Sequence, residues 1–174
     1  MDHQENHDHH NHTEVEATPA EYAKFACVIL GIILLSLLVA HQWGGLTLQN
    51  FIRMFMGMFF LVFAIFKLLD LKGFAESYIG YDVIAKRWFG YAKLYPFIEL
   101  GLAAGSFFNG PYNNWIVLFF MIIGSIGVFK ELMRGSKIKC ACLGTYIKLP
   151  LTTVSLIEDV AMGVMAILMI LKVF

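Results

Sequence analysis

Five apolar stretches, near 24–43, 51–71, 89–108, 114–133 and 152–172, dominate this chain. At about 20 residues each, they match the length an α-helix needs to cross the hydrocarbon core of a bilayer. Inside that core every backbone N–H and C=O must be satisfied within the segment, so runs of this kind fold as helices that pack on one another. The rest of the sequence could not cover a soluble domain of this length, because 59% of residues are hydrophobic and only 15% are charged. The expected fold is all-α: a polytopic membrane helix bundle of about five transmembrane helices.

The stretches outside the spans divide into a tail and four connections. Residues 1–20 form a low-complexity, His-rich tail without apolar periodicity, and disorder is expected there. The membrane domain is expected to occupy 21–174. No Lys or Arg precedes residue 24, so a cleavable signal peptide is not expected and the first span reads as an uncleaved anchor. Cys27 lies in that span and is expected to pack as a small apolar residue. Phe74, Tyr78, Tyr81 and Ile84 recur at helical spacing between the second and third spans, which predicts an amphipathic helix at the membrane surface. Thr152 or Thr153 could cap the fifth helix. The small residues Gly101, Ala104 and Gly105, and Gly124 with Gly127, predict close helix approach.

The basic residues predict orientation. Eleven of them (Lys24, Lys67, Lys72, Lys86, Arg87, Lys93, Lys130, Arg134, Lys137, Lys139 and Lys148) fall on the side that holds the N-terminus and the second and fourth connections. Only Arg53 and Lys172 fall on the other side. By the positive-inside rule the first side is cytoplasmic, in a bacterial-type inner (plasma) membrane. Net charge is zero, so no overall field draws the chain to nucleic acid.

The most reactive pair on that side is Cys140-Ala-Cys142. Two thiolates one residue apart can grip a soft ion such as Cu(I), or can close a strained, easily reduced disulfide. Lys137 and Lys139 favour the thiolate for either use. The alternative is that both cysteines simply pack at the membrane surface. Imidazoles in the tail (His7, His9, His10 and His12, with His3) have spacings that bind Zn, Ni or Cu loosely.

Charges within the spans form a second constellation. Glu99 lies mid-span in the third run, Glu158 and Asp159 two turns into the fifth, and Lys67 and Asp70 near the cytoplasmic end of the second. Charge at such depth normally faces the bundle interior in pairs, and Lys67 is expected to pair with Glu99 or Glu158. The set is either a structural ion-pair network or a polar chamber that binds a cation or relays protons. Glu158, Met162, Met165 and Met169 share one helix face, which could extend a soft-metal path or simply fill the core.

Signatures of common enzymes are absent. There is no Walker-type loop, dinucleotide glycine fingerprint, HExxH or nucleophile elbow, and no triad-like grouping. An accessory role is expected over an enzymatic one.

The stretches Phe59-Phe-Leu-Val-Phe-Ala-Ile-Phe-Lys67, Tyr95-Pro-Phe-Ile-Glu99-Leu-Gly101, Cys140-Ala-Cys-Leu-Gly144, and Leu149-Pro150 with Glu158-Asp159 resemble the MauE/DoxX-like membrane proteins. The resemblance covers about 50–172, a four-helix core to which the first span is added. It looks closest to redox-associated members, some of which stand beside heavy-metal-associated domains. It implies roles for Lys67, Glu99, Cys140, Cys142, Glu158 and Asp159. MauE itself is implicated in maturing a disulfide-rich subunit of methylamine dehydrogenase, and its class is compared with DsbB-type thiol oxidation. Here the cysteines are spaced Cys-x-Cys and the charge count sets them in the reducing cytoplasm, where disulfide donation is disfavoured.

Two functions are therefore expected. The first is a membrane accessory protein that binds, senses or moves a soft metal such as copper through Cys140, Cys142, Glu158, Met162 and the tail histidines. Its partners would be a metal chaperone or an efflux system. The second is a thiol-redox accessory, with Cys140 and Cys142 as the reacting residues, that matures a disulfide-rich partner.

Overall fold

The computed structural model describes residues 19–80, 82–134 and 151–172. Among them the chain is helical with tight turns: α1 (Pro19–Gln42), α2 (Leu48–Leu69), α3 (Leu71–Tyr78), α4 (Phe89–Phe107), α5 (Asn113–Met133) and α6 (Leu151–Leu171). The five long helices coincide with the five apolar runs. Tyr22–Gln42, Leu48–Leu69 and Asn113–Lys130 are long and apolar enough by themselves to cross a membrane. α4 is less apolar, because it carries Tyr91, Lys93, Tyr95 and Glu99 along its length.

Local chemistry sets the turns. Between α1 and α2, Gly44 and Gly45 have φ of 117° and 85°, a region closed to most side chains. Thr47 caps α2 by accepting from Asn50 N–H at 3.2 Å. The Asn50 amide then donates back to the carbonyls of Ala40, Trp43 and Gly45 at 3.0, 3.1 and 3.0 Å, which ties the end of α1 to the start of α2. Between α4 and α5, Asn113 Nδ2 donates to Ser106 Oγ at 2.9 Å, and Ser106 Oγ donates to Leu102 O.

α5 packs most extensively on α6 and α2 on α4, with α1 laid along the outside of α2. The core runs through Phe60, Phe63, Phe74, Met56, Val117, Val128 and Met162. Leu30, Leu34 and Leu38, a one-face repeat on α1, are 58%, 61% and 61% exposed, as a lipid-facing surface must be.

Several sequence expectations change. The apolar face expected after α2 forms as α3, and its Phe74 and Tyr78 are buried against α4, because their rings complete the core beside Tyr95. Tyr81 lies outside the described residues. α6 begins at Leu151, ahead of Thr152 and Thr153, so neither holds the cap position. Cys27 is exposed on the outer face of α1 and does not pack inside. Gly101 and Ala104 also face outward, whereas Gly105 does permit a close approach, to the Asn113 side chain at the start of α5. The close α2–α4 approach uses Gly57, where a Cβ would stand 2.8 Å from the Phe107 ring.

Candidate functional site

The residues that carry charge within the spans converge on one small cavity of about 40 Å³, enough for water or a small ion. α2 supplies Lys67, α4 Glu99, and α6 Glu158, Asp159 and Ser155. Lys67, Ser155, Glu158 and Asp159 enter from the halves of their helices nearest the α5–α6 connection, and Glu99 from the middle of α4. Aromatic rings from α2, α3 and α4 (Phe59, Phe60, Phe63, Tyr78 and Tyr95) close the remaining sides.

Lys67 is the centre of the site. Its ammonium is buried and donates to Glu99 Oε1 in an ion pair that joins α2 to α4. The same Nζ lies 5.4 Å from the centroid of Phe74 and 5.0 Å from that of Tyr95, within the range where ring faces attract a cation. One lysine is thus held by a carboxylate and two ring faces. The aromatic shell continues through Tyr78, whose ring centroid is 4.7 Å from that of Tyr95.

The acid side is larger than the basic side. Glu99, Glu158 and Asp159 face a single ammonium across the cavity. Glu99 Oε2 is buried and has no hydrogen-bond donor among the described residues. Gly124 of α5 makes room for Asp159, since a Cβ there would stand 2.9 Å from Asp159 Oδ2. Glu99 is buried and Glu158 and Asp159 are half-buried, and carboxylates gathered in so small a space favour a proton or a cation beside them.

Of the residues singled out in the sequence, Lys67, Glu99, Glu158 and Asp159 are brought together. Asp70 stands apart: it is half-buried and caps α3 by accepting from Gly73 N–H at 3.0 Å. Met162 is 2% exposed in the core and does not line the cavity, and Met169 lies towards the opposite end of the bundle, beside Arg53. Among the described residues no group of three or more His, Cys, Asp or Glu side chains is placed to hold a metal ion. Cys140, Cys142, His7, His9, His10 and His12 lie outside the described residues.

Sequence reasoning put Phe74 and Tyr78 on one helix face but missed that they join Tyr95 beside Lys67, because an apolar face does not say what it packs against. It also missed Asp82, which is 1% exposed. Asp82 Oδ1 accepts from Ile84 and Ala85 N–H at 2.9 and 2.7 Å, and Oδ2 accepts from Tyr78 Oη at 3.1 Å. It thereby fixes the approach to α4 and one wall of the site. The turn-forming bonds of an Asp to N–H groups two and three residues on were its available signal.

The family model for methylamine utilisation protein MauE matches residues 45–172, which is most of the chain and takes in α2 to α6 but not α1. No curated protein and no solved structure matches the chain.

Proposed function

The chain belongs to the methylamine utilisation protein MauE family, and from that premise we propose that this multi-pass membrane accessory protein handles a soft metal ion such as copper. Cys140 and Cys142 serve as ligands, and the chamber around Lys67 accepts the protons they release. Three carboxylates around one ammonium carry this reading. A thiol that becomes a metal ligand gives up one proton, so capture by two thiols releases two. The connection that holds both cysteines joins the ends of α5 and α6, and those same halves of the helices supply Gly124, Asp159 and Glu158 to the chamber. The chamber offers hard oxygen ligands and only Met121 as a soft one. Metal is accordingly held at the thiols and protons in the chamber. Eleven of the thirteen Lys and Arg residues lie on the side of the cysteines, which favours a cytoplasmic site in a bacterial-type inner membrane. A metal chaperone or an efflux system is the matching partner.

The family match supports a second reading, a thiol-redox accessory that matures a disulfide-rich partner. A Cys140–Cys142 disulfide would take two electrons and two protons from two thiols of the partner, whose disulfide then closes, and an oxidant of the disulfide class would re-form it by accepting the same two electrons and two protons, with the chamber holding protons in transit.

Cu(I) titration of the purified protein against a competing chelator tests the first reading. One Cu(I) per chain is expected, lost in the Cys140→Ser, Cys142→Ser double variant; unchanged affinity in that variant rejects the thiols as ligands. In Glu99→Gln, Asp159→Asn the metal should still bind while more protons reach the medium, and an unchanged proton count rejects the chamber's part. A membrane-impermeant thiol reagent should leave Cys140 unlabelled in intact cells. Rapid labelling there would reverse the orientation and promote the redox reading.

A further inference from the structure

The opposite end of the bundle holds a second polar site, built around Arg53 of α2. Its cavity measures about 220 Å³ and is lined by Thr47, Gln49, Asn50, Asn109 and Met169 besides Arg53. A narrower extension of it, also bordered by Arg53 and Asn109, reaches Asn113 at the start of α5. The walls are neutral and polar. Residues 41–57, 100–116 and 160–172, which make up this end, contain no Asp or Glu.

Among the described residues Arg53 is therefore a cation without a local counter-charge, and no carboxylate pairs with it. One arm of its guanidinium is positioned, since Nη2 donates to Asn50 Oδ1 at 2.7 Å. Asn50 is itself held by three backbone carbonyls, so this contact orients the arginine without neutralising it. Arg53 Nε is buried and has no acceptor among the described residues. A guanidinium with an unused N–H beside a polar cavity matches the fork geometry of an oxoanion.

One further observation agrees. Trp43, Tyr112 and Trp115 are 60%, 73% and 59% exposed around the same level, where aromatic anchors mark the membrane–water boundary. The cavity thus opens where phosphate groups of lipids and soluble anions both occur.

We propose that this end of the bundle binds an oxoanion group, phosphate or carboxylate, through the Arg53 guanidinium. The site is independent of the cysteines and of the Lys67 chamber.

Thermal shift and native mass spectrometry of the full chain in neutral detergent test it, with phosphatidylglycerol, inorganic phosphate and acetate as separate probes. Wild type should be stabilised by at least one probe. Phosphatidylglycerol alone identifies a lipid headgroup site, and phosphate or acetate acting alone identifies a soluble-anion site. Arg53→Gln should weaken the effective probe by about tenfold or more, the loss of one charge-assisted fork. Arg53→Lys, which keeps the charge and packs similarly, should retain part of it and guards against a folding defect. Equal binding in wild type and Arg53→Gln, or no stabilisation of wild type by any of the three, overturns the proposal.

Discussion

Gly124 of α5 lies against the carboxylate of Asp159 on α6, so closely that a single methyl at position 124 would reach within 2.9 Å of Oδ2. The absence of a side chain at one residue thus decides where the charge of another can sit. Gly124→Ala should destabilise the bundle by about 1–2 kcal/mol in a detergent unfolding titration, as overpacking in a fixed space does. In an Asp159→Ala background the same substitution should be nearly neutral. Equal losses in both backgrounds would assign the cost to some other contact.

The buried pair of Lys67 and Glu99 should behave as a unit. Lys67→Met leaves Glu99 in an apolar interior without its cation and should cost about 3–5 kcal/mol; Glu99→Gln still leaves Glu158 and Asp159 facing the ammonium and should cost less. The double variant should lose clearly less than the sum of the two. Additivity in the same unfolding assay, to within about 0.5 kcal/mol, would show that the two side chains are not coupled.

Asn50 closes the α1–α2 turn with donations to three carbonyls. Asn50→Ala should cost about 2–3 kcal/mol, at roughly 1 kcal/mol for each hydrogen bond lost. Hydrogen exchange should accelerate locally over residues 43–51 and leave α5 and α6 unchanged. Uniform acceleration across the chain would point to a global role for the residue instead.

Asp82 holds two backbone N–H groups near the start of α4. Asp82→Ala should cost about 1–3 kcal/mol, since it leaves buried donors unsatisfied. Asp82→Asn keeps an acceptor oxygen for both and should lose less. Equal destabilisation by the two variants would mean that the charge, and not the acceptor, is what matters.

The long helices were legible because the bilayer demands a simple, local pattern, a continuous apolar run of sufficient length. Lys67, Glu99, Glu158 and Asp159 were legible for the same reason, since charge inside such a run stands out and seeks a partner. Phe74 and Tyr78 were legible as one helix face, but not as neighbours of Tyr95 and Lys67, since periodicity identifies an apolar face without saying what covers it. Gly101 and Gly105 show the same limit: small residues permit close approach, and only the arrangement of neighbours shows that Asn113 approaches Gly105 and nothing approaches Gly101.

What the sequence by itself determined is the helical, membrane-spanning class of the protein, the order of its long helices and the residues that must avoid lipid. These follow from the free energy of each segment in hydrocarbon, a property of local composition. The tertiary structure decided which partner Lys67 takes, that Asp70 caps a helix and stays out of the chamber, and that Arg53 borders a cavity with no acid in its lining among the described residues. Those outcomes depend on distances between helices far apart in the chain, and no local pattern encodes them.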